Sequence, residues 1–287
     1  MAKKNQSSRL TIQHKLSEGV VGIFGEKAKI HDLSVSDISL IVLKELRSTY
    51  PELEFRYRKK ILKSEINNKL QQIDHYLGQS LFVKSASIMP DGGMIEVKDD
   101  NNEWRVVLVS EAKYQGKDID NIELGTLVGK NNNQILMAAG NAIERSHKNI
   151  SEIANYMLSE SHFPYVIFLE GSNFLMETIK VKRPDGSEVV LDYTSGVLNR
   201  LDRLSSANYG MPFNINLCKN RYVSQGDKAV MLQAASMYAT GNGSKWKPSK
   251  MLEILLETAE TSMQMLGRDI FKQITEYKRN EKDNNES

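Results

Sequence analysis

Hydrophobic residues recur along this chain in two alternating rhythms, and the switches between them outline a fold. From Ser34 to Tyr50, Ile38, Ile41, Val42 and Leu46 fall on one helical stripe, with Ser34 as a possible N-cap and Pro51 as a stop. Ser64 to Leu77 repeats that logic through Ile66, Leu70, Ile73 and Leu77, and Gly78 is its stop. The period then changes. Gly93 to Lys98 and Trp104 to Lys113 read as strands flanking Asp99-Asp100-Asn101-Asn102, a hairpin signal. Val106 to Val109 is apolar on both faces, as expected of a central strand covered on both sides. Gln115 to Asn133, rich in Gly and Asn, reads as loop; Asn141 to Ser161 reads as a long helix with Ile143, Ile150, Ile153, Ala154 and Met157 on one stripe. Tyr165 to Leu169 is another buried strand, and Thr178 to Lys182 is expected to pair with Val189 to Tyr193 across Pro184-Asp185-Gly186. Gly196 to Ser206 and Ser249 to Tyr277 read as helices. Helices alternating with strands predict a single α/β domain, a mixed central sheet sandwiched by helices. The first sixteen or so residues read as a flexible arm, and Lys278 to Ser287 as a charged disordered tail.

Composition narrows the class without choosing a function. The single cysteine, Cys218, excludes an intrachain disulfide framework, and the five scattered histidines form no zinc-ligand spacing. The longest apolar runs are strand-sized, too short to span a bilayer, and no apolar core follows the basic first residues. A cytoplasmic protein with no membrane partner is the expectation. The 38 basic and 36 acidic residues leave a net charge of only +2, so affinity for nucleic acid has to be judged locally.

Asp91, Glu111 and Lys113 carry the candidate chemistry. Asp91 stands in Pro90-Asp91-Gly92, at the entrance to the first strand of the hairpin, and Glu111 and Lys113 lie at the far end of the second. Residues i and i+2 of a strand share a face, and a hairpin brings the start of one strand near the end of the other. Two carboxylates at such a corner offer hard oxygen ligands to Mg²⁺, and a neighbouring lysine can orient water and stabilise charge on phosphorus. That is a kit for phosphodiester hydrolysis. An acidic-x-Lys triplet alone is weak evidence, and the plainer readings are turn chemistry at Asp91 and a strand-end ion pair at Glu111 and Lys113. Glu96-Val97-Lys98 also fits the triplet, but an odd separation from Asp91 is expected to put Glu96 on the opposite face. Pro184-Asp185-Gly186 is assigned to a hairpin turn. Gly125 to Lys130 falls one residue short of a phosphate-binding loop, and no G-x-S-x-G is present.

Four segments together carry a family resemblance: Pro90 to Gly93, Trp104 to Lys113, Leu136 to Lys148 and Leu198 to Leu204. They resemble the EcoRI-like type II restriction endonucleases of the PD-(D/E)xK nuclease superfamily, and the resemblance runs from about Gln6 to Tyr277. It implies Mg²⁺ held by Asp91, Glu111 and the carbonyl of Ala112, with Lys113 acting on the attacking water. It implies base contacts from Asn141 and Arg145, with Met137, Ala138 and Ala142 along the base edges, and Arg200 and Arg203 bracing the site or contacting DNA. Gln115 to Asp118, with Lys117, and Lys130 would belong to a DNA-embracing arm. The implied organisation is an N-terminal arm over 1–16, a nuclease domain over 17–277 with inserted arms near 115–133 and 176–194, and a tail over 278–287. The implied substrate is double-stranded DNA at GAATTC, cut by a homodimer to leave 5′-phosphate ends, beside a methyltransferase that protects the same site.

Elementary chemistry agrees with those roles. Asn pairs bidentately with adenine, Arg presents a fixed fork of donors, and residues four apart share a helix face. Without the resemblance, Asn141 reads as an N-cap and Arg145 as an exposed ion pair. Tyr114, Met89, Asn131 and Asn132 depart from the family pattern, where a histidine, a lysine, and a basic and a small residue are usual; they bear on rate and stringency more than on the site read. Two other functions share the triad or the fold: a structure-specific repair or junction-resolving nuclease, and a catalytically silent DNA-binding protein.

Overall fold

A computed structural model describes residues 26–78, 83, 85–125, 140–160, 162–192, 221–225, 228–232, 235–267 and 270; for 26–33, 140–144 and 221–232 it describes the backbone only. In chain order the elements are α1 (Glu26–Thr49), β1 (Phe55–Arg58), β2 (Ile61–Leu62), α2 (Lys63–Ile73), β3 (Ser87–Ile88), β4 (Met94–Lys98) and β5 (Trp104–Tyr114). There follow α3 (Asp118–Glu123), α4 (Gly140–Tyr156), β6 (Tyr165–Glu170), β7 (Ile179–Lys182), β8 (Glu188–Leu191), β9 (Arg221–Gln225), β10 (Lys228–Leu232), β11 (Ser236–Ala239) and α5 (Pro248–Leu266).

Five strands form the central sheet in the order β1-β4-β5-β6-β11. The β1/β4 and β4/β5 pairs are antiparallel, and the β5/β6 and β6/β11 pairs are parallel. Strand β6 shows why such a sheet is covered on both sides. Tyr165, Ile167 and Leu169 point into one apolar layer with Ile66 and Leu70 of α2, Ile150 and Ile153 of α4, and Met157 just beyond it. Val166 and Phe168 point into the other, with Val35, Val42 and Leu46 of α1 and Leu255, Ala259 and Met263 of α5. A parallel strand needs its faces dry, which is why this segment reads as a continuous apolar run. The mixed sheet between helices is the architecture expected. A smaller core of Ile122, Leu175, Val181 and Leu191 joins α3 to the β7/β8 hairpin.

One irregularity decides where the chemistry points. Met94 pairs with Val109 and Ile95 with Leu108, but Glu96 pairs with Val106, so Val107 is an extra residue in β5. Val106 and Val109 therefore face the α2/α4 layer while Val107 and Leu108 both face the α1/α5 layer. Because side chains alternate, that bulge turns every later odd-numbered residue of β5, Glu111 and Lys113 included, toward α4. His162 lies against the bulge, its buried Nε2–H donating to the Val106 carbonyl at 2.8 Å.

Several boundaries differ from the sequence reading. Ser34 lies inside α1, which begins at Glu26, so it caps nothing. Helix α2 ends at Ile73, because Asp74 turns extended and its carboxylate accepts the Tyr76 N–H at 2.9 Å. The stretch read as loop from Gln115 contains α3. Strands β1, β9, β10 and β11 were not expected from the pattern. The helix expected at Gly196 to Ser206, the N-terminal arm and the C-terminal tail lie outside the described residues.

Candidate active site

The site is built from a turn, a strand end and the helix above them. Pro90-Asp91-Gly92-Gly93 closes a tight turn, with Gly93 N–H donating to the Pro90 carbonyl at 2.9 Å and Gly92 N–H to the Ser110 carbonyl at 2.9 Å. Both glycines are required by space. A Cβ on Gly92 would lie 2.0 Å from Ser110 Oγ, and Gly93, at φ +72°, packs its backbone on the Tyr57 ring. The close approach of the turn to β5 carries Asp91 to Lys113.

Lys113 Nζ donates to Asp91 Oδ2 and lies 2.8 Å from Glu111 Oε1. The Glu111 side chain is fully buried, and those of Asp91 and Lys113 are 23% and 16% exposed. Burial of a carboxylate demands donors, and Glu111 has them on both oxygens. Ser146 Oγ and Asn149 Nδ2, both on α4, donate to Oε1 at 3.2 and 3.3 Å, and the hydroxyl of Tyr165 on β6 donates to Oε2.

The electrostatics follow from this packing. Burial alone would lower the Lys113 pKa, but Glu111 and Asp91 outweigh it and hold the ammonium well above its ordinary range. Lys113 so placed is a cation and a hydrogen-bond donor. Burial first, then the Glu111 charge, pushes Tyr165 far up, so its hydroxyl stays a neutral donor. Two carboxylates and one ammonium leave the corner one negative charge in excess. That charge, on oxygen atoms alone, fits a hard divalent cation. Among the described residues no group of three or more His, Cys, Asp or Glu could hold a metal, so the remaining ligands would be peptide carbonyl, water or phosphate oxygen. Ala112 has its methyl in the α1/α5 layer, which leaves only its carbonyl to serve.

The second acidic-x-Lys triplet needs a correction. Asp91 lies in the turn ahead of β4, not on the strand, so counting parity from it to Glu96 fails. Glu96 in fact shares the α4 face with Glu111, since Tyr156 of α4 donates to it at 3.4 Å. It stays out of the site by distance along the helix and by its partners. Arg56 Nε lies 2.6 Å and Arg58 Nη1 3.6 Å from its fully buried carboxylate. Pro184-Asp185-Gly186 is the tip of the β7/β8 hairpin, with Gly186 at φ +85°.

The other expected residues are more scattered. Asn141, Ala142 and Arg145 lie in α4, and Arg145 is exposed; the side chains of Asn141 and Ala142 fall outside the described residues. Lys117 is half-buried between buried Gln115 and Asp118, where Gly116 packs tightly against Ser172 and Asn173. Met137, Ala138, Lys130, Arg200 and Arg203 lie outside the described residues. Sequence reasoning missed Ser146, Asn149 and Tyr165. The available signal was the pair of polar residues three apart on the α4 stripe just ahead of Ile150.

Comparison with known proteins bears on the whole chain. A sequence model of the family described as "Restriction endonuclease EcoRI" matches residues 17–273. The chain is 63% identical over 275 residues to the type II restriction enzyme EcoRI of Escherichia coli, which spans 96% of this chain and 99% of that protein. It is 47% identical over 267 residues to the type II restriction enzyme RsrI of Cereibacter sphaeroides, spanning 93% and 96%.

Proposed function

Since the chain belongs to the EcoRI family of restriction endonucleases and is a type II site-specific deoxyribonuclease, we propose that it is a cytoplasmic homodimer that uses Mg²⁺ to cut both strands of GAATTC. The observation that carries the chemistry is the meeting of Asp91, Glu111 and Lys113 at one corner beneath α4. Asp91 and Glu111, with the Ala112 carbonyl, would hold the ion, which supplies Lewis-acid stabilisation of the phosphoryl oxygens and lowers the pKa of water.

The chain's own groups do the rest. Water adds to phosphorus opposite the 3′ oxygen; the bond from phosphorus to that oxygen breaks, leaving 5′-phosphate and 3′-hydroxyl ends. Lys113, held as a cation, donates to the developing negative charge. Tyr165, Ser146 and Asn149 donate to Glu111 and orient it in a dry pocket. Asn141 and Arg145 on α4 read adenine edges in the major groove. A palindrome cut on both strands calls for two such sites related by a two-fold axis. A cell that makes the enzyme needs a methyltransferase for the same site to shield its chromosome.

The test is a digest of sequenced DNA with Mg²⁺ and mapping of the ends. Cuts at GAATTC alone, with 5′-phosphate ends, support the reading. Fragments that track DNA shape, or no cutting at all, overturn it. Asp91→Ala is expected to bind GAATTC and not cut it.

A further inference from the structure

Glu111 is held by two different bodies. Its Oε2 is fixed from within the sheet, by the Tyr165 hydroxyl of the adjacent strand. Its Oε1 takes its donors from Lys113 and from α4, through Ser146 at 3.2 Å and Asn149 at 3.3 Å. Helix α4 is likewise divided. Its far half is pinned in the core by Ile150, Ile153 and Ala154, each at most 2% exposed. Arg145, one residue before Ser146, is exposed. The turn of α4 that presents Arg145 to solvent thus also presents Ser146 and Asn149 to Glu111.

We propose that Ser146 and Asn149 are positioning residues through which the seating of α4 on DNA sets the aim of Glu111. The inference rests on the reading of α4 as the base-contacting helix and extends it to the coupling of recognition with cleavage. With Oε2 anchored to the rigid sheet, a small shift of α4 acts on Oε1 alone and turns the carboxylate about its fixed oxygen. Hydrogen bonds of 3.2–3.3 Å lie at the long end of the useful range, so a few tenths of an ångström either way strengthens or releases them. A correctly read sequence seats the helix and completes the bonds; a wrong one leaves Glu111 poorly aimed. Partners of this kind, which orient a metal-binding carboxylate without touching metal or substrate, are typically worth 10- to 100-fold in activity.

The experiment compares Ser146→Ala, Asn149→Ala and Ser146→Thr with the wild-type protein in single-turnover cleavage. Two duplexes are used, one with GAATTC and one differing by a single base pair, and binding to each is measured with Ca²⁺ in place of Mg²⁺. The alanine variants are expected to cut GAATTC about 10- to 100-fold more slowly. Their slow cutting of the altered duplex and their binding of both are expected to match wild type, and Ser146→Thr, which keeps the hydroxyl, to stay near wild type. Equal losses on both duplexes, a parallel loss of binding, or no loss on GAATTC overturns the proposal. Should Ser146→Ala fold poorly at its buried position, Asn149→Ala, which is only half-buried, carries the test. A wild-type protein that cuts neither duplex would remove the nuclease reading itself, a result distinct from unaltered variants of an active enzyme.

Discussion

Replacing Lys113 with methionine removes the ammonium from the corner while keeping most of the side-chain volume. The ammonium lies 2.8 Å from Glu111 Oε1 and also bonds Asp91, with Lys113 16% exposed and Glu111 fully buried. At that separation, and at an effective dielectric constant near 20, the attraction to Glu111 is about 6 kcal/mol before the cost of desolvating the ammonium. Losing one partner of a buried pair typically costs about 3–5 kcal/mol. A domain of this size loses about 2–4 °C of Tm per kcal/mol, so the variant should melt about 6–20 °C lower in EDTA. Divalent ions should then reverse the defect. An ion bound at 100 times its Kd adds about 2.7 kcal/mol, and in the variant it no longer competes with the ammonium for the same carboxylates. The assay is thermal melting in EDTA, Ca²⁺ and Mg²⁺, beside single-turnover cleavage. Cleavage should fall by about 10²- to 10³-fold, as when one donor to a developing oxyanion is lost. A variant that melts like wild type in EDTA, or gains no more from divalent ions than wild type does, would refute this account of the corner.

Three further substitutions separate the parts of the site from their surroundings. Tyr165→Phe deletes a donor to a charged acceptor and should cost about 1.5–3 kcal/mol, with cleavage down about 10- to 100-fold; unlike Lys113→Met, its melting deficit should persist in Mg²⁺. Glu96→Gln leaves Arg56 and Arg58 beside a neutral amide and should cost about 3 kcal/mol, toward the low end because Arg56 is 36% exposed and Arg58 keeps Glu65. Its cleavage per folded molecule at low temperature should be unchanged, and a loss there would restore Glu96 to the chemistry. Burial holds His162 below its ordinary 6.5, so it folds neutral while the unfolded chain takes the proton first. Its contribution is thus fully present above pH 6.5 and is lost as pH falls from there toward the lowered folded value. Melting between about pH 7.5 and 5.5 should show a shallower decline in His162→Gln than in wild type.

The parts of the fold legible in the sequence are those where a side chain's neighbours come from its own element. The β4/β5 hairpin, β6 and the buried stripe of α4 announce themselves through period and turn residues. Strand β1 did not, because Phe55-Arg56-Tyr57-Arg58 alternates over only four residues, and its arginines find their partner in a buried Glu96 about forty residues away. Strand β11 joins the sheet only by parallel pairing with β6, a long-range partnership that leaves no local mark. The candidate site divides the same way. Asp91, Glu111 and Lys113 are bracketed by one hairpin, so their meeting could be argued from spacing. Ser146, Asn149 and Tyr165 reach Glu111 from elements thirty-five to fifty-four residues distant, and only packing unites them. The hairpin argument needed alternation only from Glu111 to Lys113, beyond the point where Val107 interrupts it.

That interruption constrains how the chain can change length. Removing Val107 would restore simple alternation and leave the acid and the amine facing α4, whereas one residue added between Val107 and Glu111 would send them to the wrong side of the sheet, into the oil between α1 and α5. Removing one from the exposed tip at Asp100 to Asn102 would leave them where they are. An insertion and a deletion of equal size at the same place thus have opposite fates, and a descendant that shortens this strand by one residue and still cuts DNA is expected to have lost the bulge itself.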